Sequence, residues 1–192
     1  MRIAGVVLAG GASRRMGQNK AMIDIDGTAM ADRVLGALRT VGADPVVLVG
    51  GDVDELAPLS AAVIPDLYPG EGPVGGVLSA LEHLAGTDTV DAALILPCDL
   101  CDVSANVLTP LITAAAGDGH SSVWVAATDR MQPMCALWSL GARGTVREQF
   151  VAGQRALHRV IVELPHTTVT VEAQALRNVN RPKDLPPPES DR

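Results

Sequence analysis

The sequence predicts one α/β domain built on a doubly wound, mostly parallel sheet, and three observations carry that expectation. The chain opens with an apolar run, Ile3 to Ala9, that ends in a glycine pair and leads into a helical pattern. Short apolar runs recur at Val46–Val49, Ala62–Ile64 and Ala92–Leu96, with helix-sized segments between some of them. A length of 192 residues, 47% of them hydrophobic, suits a single core, and no internal repeat or linker divides it.

Each element has its own signal. Residues 29–41 place Met30, Val34, Leu38 and Val41 at helical spacing, and Gly42 stops them. A helix is expected from Gly75 to Leu84, directly after the turn Gly70-Glu71-Gly72-Pro73. Residues 104–116 read as a helix that Gly117 ends, with Pro110 marking a start or kink inside it. Val123–Ala127 and Met134–Ser139 form a strand pair, residues 142–160 one or two helices, and Val169–Val171 a last strand. The domain is expected to span residues 1–185, and the proline-rich, charged tail 186–192 is expected to be disordered.

Composition excludes several classes. Aromatic residues are 2% of the chain and the net charge is −7, so neither base stacking nor a basic face is on offer to nucleic acid. No apolar stretch reaches the ~20 residues that cross a bilayer. The N-terminus enters its first strand without a charged region and cleavage site, and three cysteines, an odd number, fit a reducing compartment. The expectation is a cytoplasmic protein that binds neither membrane nor nucleic acid.

The chemistry starts in the loop after the first strand. Gly10 and Gly11 let backbone N–H groups approach an anion, and Arg14, Arg15 and Lys20 add charge, while no acid precedes Asp24. Lys20 is one of only two lysines in the chain. Gly11 and Gly17 enclose five residues where a Walker A loop has four, and the dinucleotide fingerprint G-x-G-x-x-G is absent. At the end of a buried strand, Leu94-Ile95-Leu96-Pro97-Cys98-Asp99 delivers an acid to the same sheet edge. A carboxylate there suits Mg²⁺, which takes few carboxylate oxygens and fills its sphere with phosphate and water; the alternative is a helix cap or solvated turn.

Cys98 and Cys101 stand at C-x-x-C spacing, which a zinc site or a redox pair would use, although buried packing cysteines are the favoured reading. The histidines at 83, 120, 158 and 166 show no ligand spacing. Between the two sites, Pro65-Asp66 precedes the glycine-rich stretch through Gly75 and Gly76, which permits close approach to a flat ligand or forms a plain turn. Near the C-terminus, Asn178-Val179-Asn180-Arg181-Pro182-Lys183-Asp184-Leu185 offers uncharged donors and acceptors, or a cap and turn ahead of Pro182.

Leu8 through Lys20 resembles, at every fixed position, the L-A-G-G-x-S-x-R-M-G-x-x-K signature of nucleotidyltransferases. With the G-P-[LV]-x-G loop at Gly72 to Gly76 and the N-x-N-x-P-x-[DE]-L close, the resemblance covers about residues 3–185 and is to the molybdenum cofactor guanylyltransferases. It implies a Rossmann-like α/β/α domain. It also implies transfer of GMP from GTP to molybdopterin that bears molybdenum, with release of pyrophosphate. GTP and molybdopterin are then the partners, with molybdoenzymes and other cofactor-biosynthesis proteins around them. By the same resemblance Leu8, Ala9, Gly10, Gly11, Lys20, Asp66, Gly75 and Gly76 face the nucleotide. Lys20, Arg15 and Asp99 are catalytic, Asp99 holds Mg²⁺, and Asn178, Asn180 and Arg155, within Gly153-Gln154-Arg155, face the acceptor.

One departure and several rivals stay open. The family usually has a proline two residues after its acid, where this chain has Cys101. Cytidylyltransferases that act on the same pterin favour L-A-A-G, so Gly10 is the residue that favours GTP. Sugar-phosphate or phospholactate nucleotidyltransferases, and a non-catalytic nucleotide or molybdopterin carrier, are the remaining alternatives.

Overall fold

A computed structural model describes residues 1–10, 19–87, 89–100 and 102–176. The expectations placed on Gly11, Arg14, Arg15, Cys101, Asn178, Asn180 and the tail 186–192 lie outside the described residues. In chain order the elements are β1 (Ile3–Leu8), β2 (Asp24–Ile25), β3 (Thr28–Ala29), α1 (Met30–Thr40), β4 (Val46–Val49), α2 (Val53–Leu56), β5 (Ala62–Ile64), α3 (Gly72–Ala85), β6 (Ala92–Pro97), α4 (Ala105–Gly117), β7 (Val123–Ala127), β8 (Met131–Ser139), α5 (Arg143–Val151), α6 (Leu157–Val162) and β9 (His166–Thr170).

The expected α/β domain is present as a seven-stranded sheet in the order β5-β4-β1-β6-β8-β7-β9. Only β8 runs against the others; it pairs antiparallel with β6 and β7, while the remaining pairings are parallel. The chain builds outward from β1 to β4 and β5 and then crosses back through α3 to β6. The strand order therefore reverses between β1 and β6, and ligands of such sheets bind where the carboxyl ends flank that reversal.

Both faces of the sheet are covered, which is why its strands read as continuous apolar runs rather than alternating ones. Ala4, Val6 and Leu8 of β1 join Ala93 and Ile95 of β6 and the buried faces of α3, α5 and α6. Val7 and the residues Ala92, Leu94 and Leu96 point the other way, toward α1 and α4. Trp138 is fully buried and fills the first of these layers, offsetting the scarcity of other aromatic side chains.

Several boundaries differ from the sequence reading, each for a local reason. Helix α3 begins at Gly72 rather than Gly75, because Pro73 falls in its first turn, where no N–H is needed. Pro110 lies inside α4. Residues 142–160 resolve into α5 and α6, separated where Gly153 takes a φ of +87°. The small β2–β3 hairpin and α2 were not expected. Asp26 and Gly27 turn the hairpin with positive φ, and Asp52 caps α2 by accepting the N–H groups of Asp54 and Glu55 at 2.9 and 3.1 Å.

Past the end of α4, Asp118 ties β7 and β9 to that helix. Its carboxylate accepts the His120 and Ser121 N–H groups at 2.9 and 3.2 Å, the Trp124 indole N–H at 3.2 Å and the Thr167 hydroxyl at 3.1 Å. The Ser121 side chain, then the backbone N–H of His120, hold this carboxyl far below the usual carboxylate range. A depressed folded value means the stabilisation is complete above the unfolded pKa of about 3.9 and is lost as pH falls below it. Asp118→Ala is thus expected to lower the melting temperature by a constant amount between pH 7 and about pH 5. The gap to the unsubstituted chain is expected to shrink below about pH 4, as melts across that range will read.

Candidate active site

The carboxyl ends of β1, β4 and β5 enclose a cleft of about 410 Å³. Gly10, Gly50, Gly51, Val53, Asp66 and Gly70 are among its lining residues. Three strand ends come together this closely because two of them finish in glycine. Gly50 and Gly51 have φ of +73° and +84°, where a side chain is strained. A Cβ on Gly50 would stand 3.2 Å from Gly10 Cα and 3.3 Å from Asp66 Cβ, too close to be relieved by a side-chain movement.

Gly10 is different. A Cβ there would meet Gly50 Cα at 3.7 Å and Asp66 Oδ2 at 3.8 Å, which are ordinary contacts, so the packing leaves room for alanine. Its N–H, expected to point at an anion, instead donates to Val49 O at 3.2 Å, alongside Ala9 N–H at 3.0 Å. Gly50→Ala is therefore expected to lose about 1–2 kcal/mol of stability. Gly10→Ala should stay within about 0.5 kcal/mol of the unsubstituted chain; midpoints of urea denaturation measure both.

On the other flank of Gly10, Cys98 and Asp99 follow β6, and Cys98 N–H donates to Leu8 O at 3.2 Å, fastening the two strand ends. Lys20 stands in a single 3-10 turn, Lys20–Met22, which Asn19 caps by accepting Ala21 N–H. Asn19 also donates to Glu55 Oε2 at 2.8 Å, holding that turn against α2. From there Lys20 Nζ reaches Asp99 Oδ2 at 2.6 Å, with side-chain exposures of only 16% and 15%. Asp99 Oδ1 is buried and has no hydrogen-bond partner among the described residues. A hard, charged oxygen left unsatisfied is costly unless a cation meets it.

The loop between β5 and α3 carries Asp66. Its Oδ1 accepts Tyr68 N–H at 3.0 Å and the Ser79 hydroxyl at 2.7 Å. Gly75 and Gly76 do not line the cleft; they are buried in the first turns of α3. A Cβ on Gly75 would lie 3.1 Å from Tyr68, and one on Gly76 3.4 Å from Leu8. These glycines let the helix pack close to the loop and to β1. Arg155 lies beyond, where its Nε donates to Glu71 Oε2 at 2.6 Å and its Nη1 to Phe150 O at 2.7 Å. Its guanidinium also stacks 4.0 Å from the Phe150 ring centre.

Of the residues singled out by sequence, the structure brings Gly10 and Asp66 to the cleft and Lys20 and Asp99 to each other. Leu8 and Ala9 are buried beneath them. Sequence reasoning missed Gly50 and Gly51, although a glycine pair directly after an apolar strand repeats the pattern that drew attention to Gly10. Cys98 and Cys135 are free, buried thiols, each pushed up to about 12 chiefly by burial, in keeping with cysteines that pack the core. Among the described residues no three His, Cys, Asp or Glu side chains gather as a metal cluster. No helix there is long and apolar enough to cross a membrane.

The chain is similar in sequence and in fold to known proteins. A protein from Rhodopirellula baltica named probable molybdenum cofactor guanylyltransferase is 32% identical, over 97% of this chain and 91% of its own length. The molybdenum cofactor guanylyltransferase of Xanthomonas euvesicatoria pv. vesicatoria is 35% identical over 88% of this chain and 83% of its own. The crystal structure of molybdopterin-guanine dinucleotide biosynthesis protein A from Archaeoglobus fulgidus superposes with a TM-score of 0.75, covering 96% of this chain and 94% of that one. At 23% identity that likeness speaks for the fold. The model of the MobA-like NTP transferase domain matches residues 5–169, from within β1 to within β9, and it is to this family that the chain belongs.

Proposed function

We propose that this protein transfers GMP from GTP to molybdenum-bearing molybdopterin, releasing pyrophosphate and forming the molybdopterin guanine dinucleotide. The observation that supports this best is the position of Gly10, with the glycine-lined cleft on one side and the Lys20–Asp99 pair on the other. A nucleotide whose base and ribose occupy the cleft directs its phosphates at a lysine and a carboxylate. The names carried by the relatives of 32% and 35% identity favour the same reaction.

The acceptor's phosphate oxygen attacks the α-phosphorus of GTP; the new P–O bond forms as the bond to the β-phosphate breaks, and pyrophosphate leaves with its electron pair. The attacking phosphate is already anionic near pH 7, so no general base is required. What the protein supplies is alignment and countercharge. Lys20 offers a compact ammonium to the phosphates, and Arg15 and Gly11 are proposed to join it. Asp99 is the residue proposed to hold Mg²⁺: among the described residues its buried Oδ1 has no partner and no cluster of three metal-ligating side chains forms, which fits an ion that completes its sphere with phosphate and water. When bound, that ion neutralises charge on the phosphates.

Leu8, Ala9, Gly10 and Asp66 are assigned to the nucleotide, with Gly75 and Gly76 shaping the loop beside it. Arg155, Asn178 and Asn180 are assigned to the acceptor. The reading takes residues 1–185 as one nucleotidyltransferase domain working in the cytoplasm, with molybdoenzymes and other cofactor-biosynthesis proteins as further partners. The packing tolerates a Cβ at Gly10, so glycine there serves the ligand rather than the fold, in keeping with GTP over CTP. Equilibrium binding of GTP, CTP and ATP with Mg²⁺ tests this. GTP is expected to bind selectively; preference for CTP would move the assignment to cytidylyl transfer, and no nucleotide binding would overturn it.

A further inference from the structure

Among the described residues Ser79 is the one polar side chain buried in the core, at 0% exposure. Halfway along α3, it had a simple way to satisfy its hydroxyl, since Gly75 O, one turn back, lies 2.9 Å away. It does more than that. Its Oγ stands 2.7 Å from Asp66 Oδ1 and accepts Leu67 N–H at 2.9 Å. A hydroxyl has one proton to give, and a carboxylate is a stronger acceptor than an amide carbonyl, so the proton goes to Asp66.

The consequence lies on the opposite side of the carboxylate. Oδ1 is held by Ser79 and by Tyr68 N–H, while Oδ2 faces Gly10 across the cleft mouth. The neighbouring residue is fixed as well: the Tyr68 hydroxyl donates to Glu82 Oε2 at 3.0 Å, Glu82 pairs with Arg147, and the Tyr68 ring packs on Phe150 at 4.7 Å. Asp66 thus sits on a segment with little freedom to turn, one oxygen committed to the core and the other presented to the cleft.

We propose that Ser79 is a positioning residue for nucleotide recognition, fixing the Asp66 carboxylate so that Oδ2 accepts from hydroxyl or ring N–H donors of the bound nucleoside. This rests on the guanylyl-transfer reading and deepens it, since Ser79 touches neither substrate nor the reacting phosphates. Because it acts through ground-state binding, its loss shows in KM and not in kcat.

The test is steady-state kinetics of pyrophosphate release from GTP with molybdopterin, on Ser79→Ala, Asp66→Asn and the double variant, with melting temperatures alongside. Ser79→Ala is expected to raise KM for GTP about tenfold and to leave kcat within about twofold, the size of one hydrogen bond to a charged group. Ser79→Cys, which keeps the volume and a weak donor, is expected to fall between and carries the comparison if alanine prevents folding. In the Asp66→Asn background Ser79→Ala is expected to add less than about twofold, because the group it acts through is already changed. A serine that only supports the helix would add its full KM effect in both backgrounds, and that additivity overturns the proposal, as does an unchanged KM in Ser79→Ala. If the unsubstituted protein releases no pyrophosphate, the guanylyl-transfer reading falls and the proposal with it. If it is active and Asp66→Asn leaves KM unchanged, only the Asp66–Ser79 assignment falls.

Discussion

Lys20→Ala is expected to lower kcat/KM for GTP by about a thousandfold or more while leaving the chain folded, because it removes the one cation of the described site that stands beside Asp99. The pair is mostly buried, so breaking it also costs stability, about 1–3 kcal/mol for the oxygen left without its donor. An ordinary domain, stable by about 5–15 kcal/mol, stays folded after such a loss, with a lower melting temperature. Circular dichroism on the variant separates the two effects. Lys20→Arg is expected to recover little of the rate, since a planar guanidinium cannot place one compact charge 2.6 Å from Asp99 Oδ2 and still meet phosphate from the same turn. Near-normal turnover in Lys20→Ala would show that phosphate is held elsewhere.

Asp99→Asn carries the second large effect. The amide preserves the size of the side chain and an acceptor for Lys20, but removes the charge that the unpartnered Oδ1 offers to a divalent ion. Turnover is expected to fall by about a thousandfold or more, as it does when a phosphoryl-transfer site loses its electrostatic stabilisation. A second readout ties the loss to the metal. GTP affinity in the unsubstituted protein should strengthen when Mg²⁺ is added, and in Asp99→Asn the two titrations should coincide. If Mg²⁺ still strengthens binding in the variant, Asp99 is not its ligand.

Much of the frame could be read from the sequence because it is written in local periodicity. The strands at Ile3, Val46 and Ala92 are apolar throughout, and burial on both faces of the sheet is what demands that. Asp99 could be found because an acid directly after such a strand stands at the sheet edge whatever the rest of the chain does. What escaped depends on contacts between distant segments. The sequence brings Lys20 and Asp99 to one sheet edge but not into a direct ion pair across 79 residues, and Ser79 reads as an unremarkable polar residue in an apolar helix until the loop carrying Asp66 folds back on it.

Glycines were legible as glycines but not by role. Gly10, Gly50 and Gly75 all look like loop or turn residues in sequence. In the structure the first leaves room for a side chain, the second joins two strand ends under a positive φ, and the third lets a helix close on Tyr68. These differences are set by what lies across from each Cα, which sequence spacing does not record.

The direct measurement of the reaction is incubation of the protein with Mg²⁺, molybdenum-loaded molybdopterin and either GTP or CTP, following pyrophosphate and identifying the dinucleotide by mass. One pyrophosphate is expected per guanine dinucleotide formed from GTP, with little product from CTP. Cytosine dinucleotide as the main product, or no pyrophosphate from either nucleotide, would contradict guanylyl transfer.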